Sequence, residues 1–153
     1  MHPKADPLRE ITIVEQTDPS LRRRWFENDY FDLFTWQDST GALTKFQLCY
    51  DVELNERALV WERSVGTYHD GVDHGDGARQ TPILVDGGKF ESGTVVPRFE
   101  RDSANLPPEL RDFILAKMRE HLLSQYRLKV GRDLVRREQW QKRPARAKDA
   151  PEN

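Results

Sequence analysis

The residue types with most chemical potential lie together in Tyr68–Gly77, which reads YHDGVDHGDG. His69, Asp70, Asp73, His74 and Asp76 place two imidazoles and three carboxylates within eight residues. Such a mixture suits zinc, manganese or iron, and His69, Asp73, His74 and Asp76 are the candidate ligands. The spacing fits no established metal motif. Counted from Asp70, the acids fall three apart instead of two, and the position at which a bidentate Glu closes a calcium loop is Thr81. The chain contains no HExxH. Asp and Gly also serve backbone geometry in turns, so a solvated polar loop is the simpler expectation for this stretch.

Other reactive groups are isolated. Cys49 falls in an apolar run, where a free thiol acts as a small buried hydrophobe. A nucleophile needs a base within hydrogen-bond reach, and no local pattern supplies one. Ser92 lies in ESGTV, not GxSxG, and Gly87, Gly88 and Gly93 form neither GxGxxG nor a P-loop. Hydrolase chemistry and nucleotide-phosphate binding therefore have no motif here, and no cofactor is implied. His121 falls on an apolar helical stripe and is expected at a core edge with one hydrogen bond.

The elements that must position these groups are mostly strands. Asn28–Arg63 reads NDYFDLFTWQDSTGALTKFQLCYDVELNERALVWER, three apolar runs separated by two polar breaks, which is the pattern of an antiparallel meander. Asp38-Ser39-Thr40-Gly41 is the first connection, with Gly placed for a positive φ. Phe31, Leu33 and Thr35 lie on one face of the first run, and Tyr30, Asp32, Phe34 and Trp36 on the other. Large apolar groups on both faces call for cover on both sides. Further extended segments are expected at Glu10–Glu15, Thr81–Gly88 and Lys89–Phe99, with a short helical turn over Leu21–Asn28 capped from Asp18 or Ser20. One long helix is expected over Pro107–Leu128. Pro fits its first turn, and Leu110, Phe113, Ile114, Met118, His121 and Leu122 recur at three and four. Gly131 is expected to end or bend it. The fold class is therefore α+β: a curved or partly barrel-like antiparallel sheet of about five or six strands packed on a C-terminal amphipathic helix.

Length favours a single domain over residues 1–140, followed by a disordered basic tail at 141–153. No apolar leader is present and no run suits a membrane span, so a cytoplasmic protein without a membrane partner is expected. A lone cysteine agrees with a reducing compartment. Net charge is −2 but divided: residues 1–126 carry −7 and residues 127–148 carry +7. The arm raises nucleic-acid binding as a further alternative, against which stands a pI near 6.1. With no catalytic motif, the expected function is non-enzymatic binding of a partner or a small apolar ligand through an apolar sheet face, with homodimer formation. The residues expected to line that ligand site or interface are Phe31, Leu33, Phe34, Trp36, Phe46, Tyr50 and Trp61. The alternative is a metal-dependent enzyme or metal-binding protein using the His69–Asp76 loop.

Overall fold

The computed structural model describes residues 6–12, 14–73, 83–85 and 88–141. Seven antiparallel strands follow one another in chain order: β1 (Arg9–Ile11), β2 (Arg22–Glu27), β3 (Phe31–Gln37), β4 (Leu43–Tyr50), β5 (Arg57–Glu62), β6 (Gly66–Asp73) and β7 (Ile83–Val85). The sheet is open, with three-residue strands at both edges. Helices α1 (Ser92–Asp102) and α2 (Pro108–Gln141) follow, giving the expected α+β class. The chain divides into two compact units, Met1–His121 and Leu122–Asn153, and the division falls inside α2.

The meander forms where the sequence places it. Asp38 accepts hydrogen bonds from Thr40 and Ala42 N–H, and Gly41 takes φ +85°. That geometry is easy for glycine and costly for a residue with a Cβ.

Leu21–Asn28 corrects the expectation of a helical turn. The Asp18 side chain does accept from Ser20 N–H and Oγ, but the turn it forms introduces a strand. Three consecutive arginines are tolerated in β2 because each described guanidinium contact suits its face. Arg23 lies 5.0 Å over the Phe34 ring. Arg24 makes a bidentate pair with Glu10 of β1, at 2.7 and 2.9 Å. The Gln16 side chain bonds both backbone groups of Arg23 at 2.8 Å, doing for the strand what another backbone would.

Lys89–Phe99 is a second correction. Most of it is the helix α1, despite Val95, Val96 and Pro97. Val95, Phe99 and Asp102 fall at i, i+4 and i+7 and are all buried. Burial of that stripe outweighs the strand preference of the valines. Pro97 sits opposite Gly93, one turn back, where its ring removes a single helical hydrogen bond. The polar loop expected after Gly66 is likewise strand as far as Asp73. The long helix begins at Pro108 as its sequence indicates, but Gly131 neither ends nor breaks it within α2.

Register divides the side chains into two faces. Phe26, Leu33, Leu48, Leu59 and His69 lie in one cross-strand row, with Thr35, Phe46 and Trp61 in the next. This face is covered by the helices. Phe31 meets Phe99 of α1 edge-to-face at 5.7 Å, and Phe46 and Trp61 meet Phe113 of α2 at 6.3 and 4.7 Å. Ile114 and Met118 are fully buried there. Each such aliphatic side chain contributes about 1.5–3 kcal/mol. A buried polar node fastens α1: Asn28 donates to the Asp102 carboxylate at 3.0 Å and to the Asp6 carbonyl, while its own oxygen accepts from Tyr30 and Phe31 N–H.

Candidate binding face

The opposite face carries Ile11, Trp25, Phe34, Gln47, Val60 and Tyr68 in one row across six strands. Arg9, Glu27, Asp32, Cys49, Ala58 and Asp70 run beside it on one flank, and Arg23, Trp36, Lys45 and Glu62 on the other. Phe34, Cys49, Ala58 and Val60 form a buried cluster, with Trp25, Trp36, Val52, Tyr68 and Val72 packed around it and partly buried. Side chains of the sheet itself, with Val52 of the β4–β5 connection, close this cluster.

The covering groups are flat or long and carry polar ends. Trp25 stacks on Phe34 at 5.6 Å, and its indole N–H donates to Asp32 at 2.9 Å. Lys45 lies 5.1 Å over the Trp36 ring and 3.4 Å from Glu62. Tyr68 donates to Glu62 at 3.3 Å, and burial, with the Glu62 charge added, pushes its phenol up to about 12. Leu21, Trp36, Thr44, Lys45, Glu62, Arg63 and Ser64 line an open groove of about 520 Å³ at this end of the sheet. Such a surface offers apolar and aromatic contact with charges at its margin, the chemistry of a binding site.

Cys49 lies in the cluster and is wholly buried, with Gln47 Nε2 directed at its sulfur at 3.4 Å. Burial pushes the thiol far above its ordinary range, so the thiolate that nucleophilic chemistry requires is suppressed.

The seven residues expected to line a ligand site or interface separate between the faces. Phe31, Leu33, Phe46 and Tyr50 are buried on the helix-covered face, where Trp61 packs on Phe113. Phe34 and Trp36 alone of the seven lie on the open face. Trp25, Tyr68 and Val72 complete it. They escaped the sequence reading because β2 was expected to be a helical turn and β6 a loop.

His69 and His121 belong to the covered side. His69 Nδ1 lies 2.7 Å from the Gly88 carbonyl, which can only accept, so the ring carries its proton there and Nε2 accepts from Tyr50 O–H at 2.7 Å. Tyr50 oxygen in turn accepts from Glu91 N–H at 3.3 Å. Burial is the main influence holding His69 below the ordinary imidazole range. His121 is buried with Nδ1 3.3 Å from Thr67 Oγ1, and burial, then the neighbouring His69, lower it too. Phe90 packs against both imidazoles and Tyr50. These bonds fasten the start of α1 to the sheet. Asp73 ends β6, while His74 and Asp76 lie outside the described residues. Among the described residues no group of three or more His, Cys, Asp or Glu side chains is arranged to hold a metal ion. No described helix is long and apolar enough to cross a membrane.

Compared with protein-family models, with curated proteins and with solved structures, the chain matches none.

Proposed function

We propose that this is a non-enzymatic binding protein of the cytosol, acting as a homodimer, that takes a partner or a small apolar ligand on the sheet face opposite the helices. One observation carries the reading. The cluster of Phe34, Cys49, Ala58 and Val60 is ringed by the partly buried Trp25, Trp36, Tyr68 and Val72, with no described helix across it. An apolar surface of this kind, rimmed by charged groups, is characteristic of interaction sites. Side-chain cover can swing aside at the cost of rotamer changes, whereas the helix-covered face can open only by unfolding. The lone cysteine, buried as a thiol, is compatible with a reducing compartment.

Titration with an anilinonaphthalene sulfonate dye tests this. The folded chain is expected to bind the dye, and the double substitution Trp36→Glu with Tyr68→Glu to weaken binding by about tenfold or more, at unchanged circular dichroism. Dye affinity untouched by the two substitutions overturns the reading.

A further inference from the structure

Residues 122–153, the second compact unit, hold nine Lys and Arg against four acids, net +5, whereas residues 1–121 hold 15 against 22, net −7. The pI near 6.1 therefore conceals one strongly basic segment. That segment is helical as far as Gln141, and every residue from Leu123 to Gln139 is exposed. At 1.5 Å per residue the exposed stretch is about 25 Å long. Arg127, Lys129, Arg132, Arg136 and Arg137 all fall within it. Every described ion pair takes its cation from residues 1–121. Among the described residues none of these five cations has a carboxylate within ion-pair distance, and Arg132 Nε reaches only its own helix, at the Leu128 carbonyl 3.5 Å away. Like charges gathered on one helix without partners repel one another, so this stretch calls for a polyanion.

The placing of the charges selects the kind of polyanion. At 100° per residue Lys129, Arg132 and Arg136 share a sector of about 60°, while Arg127 and Arg137 stand about 150° round from its centre. The acids Asp133 and Glu138 fall outside that sector. The exposed apolar groups are divided as well, with Tyr126, Val130 and Leu134 on one side and Leu128 and Val135 on another. An anionic lipid surface takes a helix whose apolar groups share one side, with cations along its margins, and this helix has no such side. A groove with phosphates on both walls takes a helix with cations on both flanks. The major groove of B-DNA is about 12 Å wide and a helix with its side chains about 10–12 Å across, whereas the major groove of A-form RNA is too narrow to admit one.

We propose that the exposed stretch of α2 from Leu123 to Gln139 binds duplex DNA without sequence preference, lying in the major groove with Lys129, Arg132 and Arg136 on the phosphates of one strand and Arg127 and Arg137 on those of the other. The acidic first unit repels the same phosphates, which confines the contact to the helix and keeps the affinity modest. This activity does not rest on the reading of the open sheet face.

Fluorescence anisotropy of a labelled, mixed-sequence DNA duplex titrated with the full chain tests it. Wild type is expected to bind with roughly micromolar affinity at about 50 mM salt, and log affinity to fall against log salt with a slope of about −4 to −5, the value for five phosphate contacts. Arg132→Gln with Arg136→Gln changes only exposed helical positions. It is expected to make the slope shallower by about 2 and to lower affinity at low salt about tenfold or more, at unchanged circular dichroism. Arg22→Gln with Lys89→Gln removes the same charge from exposed positions of the first unit and is expected to leave affinity and slope as they were. No binding of the duplex at low salt overturns the proposal. Equal losses in the two double variants overturn it too, because net charge and not the helix would then be responsible. Tighter binding of a single strand than of the duplex rules out the groove. Retention on phosphatidylserine vesicles without retention of the duplex would assign the helix to a lipid surface instead. Dye binding by the Arg132→Gln, Arg136→Gln variant reports separately on the open sheet face and is expected to be unchanged.

Discussion

The two faces of this sheet are built from the same strands by the same alternation, yet they are covered in different ways. On one, Phe31, Leu33, Leu48 and Leu59 are fully buried beneath helices that contribute Phe99, Ile114 and Met118. On the other, Phe34, Cys49, Ala58 and Val60 are as deeply buried, but their neighbours include Trp25, Trp36, Tyr68 and Arg23. A helix is held by many contacts at once and by its own hydrogen bonds. A tryptophan or arginine laid over a ring is held by two or four torsions. Equal burial therefore does not mean equal rigidity, and the proposed binding is placed where the cover is made of side chains.

The sharpest way to break this comparison is to truncate one phenylalanine on each face. Phe31→Ala opens a cavity under α1, where the helix backbone cannot collapse, and should cost about 3–5 kcal/mol. Phe34→Ala leaves a space that Trp25, Trp36 and Arg23 can move to fill, and should cost about 1–3 kcal/mol. Chemical denaturation of the two variants decides. Equal losses would mean that the open face is as rigid as the covered one.

A somewhat smaller effect is expected where the covered face is fastened. Asn28→Ala removes the acceptor of Tyr30 and Phe31 N–H and one of the donors to the buried Asp102 carboxylate, which keeps Arg101. The expected loss is about 2–3 kcal/mol. Asn28→Asp tests the cause, since it keeps the acceptor but sets a carboxylate 3.0 Å from the Asp102 carboxylate. Hydrogen exchange should rise first in α1 in both variants. Exchange rising first along β2 and β3 would mean that the node serves the sheet and not the helix.

How far the sequence revealed this molecule follows the same division. Phe31–Gln37 and Leu43–Tyr50 were legible because apolar period-two runs flank a turn with Asp38 and Gly41 in their required places. The apolar stripe of α2 was legible at spacings of three and four. Arg22–Glu27 was not, because its guanidinium groups are accommodated by the Phe34 ring and by Glu10, fourteen residues before Arg24. Single-sequence patterns do not register partners so distant. α1 was hidden behind two valines and a proline whose local preferences yield to burial of Val95 and Phe99. Of the open face, the alternation of β3 indicated Phe34 and Trp36. Assigning Trp25 and Tyr68 to it required the register of β2 and β6.

The smallest of these effects is a pH dependence confined to the covered side. His69 and His121 are both held below the ordinary imidazole range, chiefly by burial, and the open face contributes no histidine among the described residues. In the unfolded chain each takes up a proton near pH 6.5, while in the folded chain each resists it to lower pH. Between those two values the unfolded state binds more protons, so stability falls as pH falls below about 6.5 and is complete above it. Protonation of His69 at Nε2 would also displace the Tyr50 O–H that now donates there. His69→Gln with His121→Gln should therefore flatten the stability profile between neutral and mildly acidic pH, although the variant is less stable at neutral pH. Hydrogen exchange near pH 6 should rise in the segment from Gly88 into α1, while β3 and β4 stay protected. An unaltered pH slope in the double variant would show that the titrating groups lie elsewhere. In that case the buried imidazoles would not distinguish the covered face from the open one.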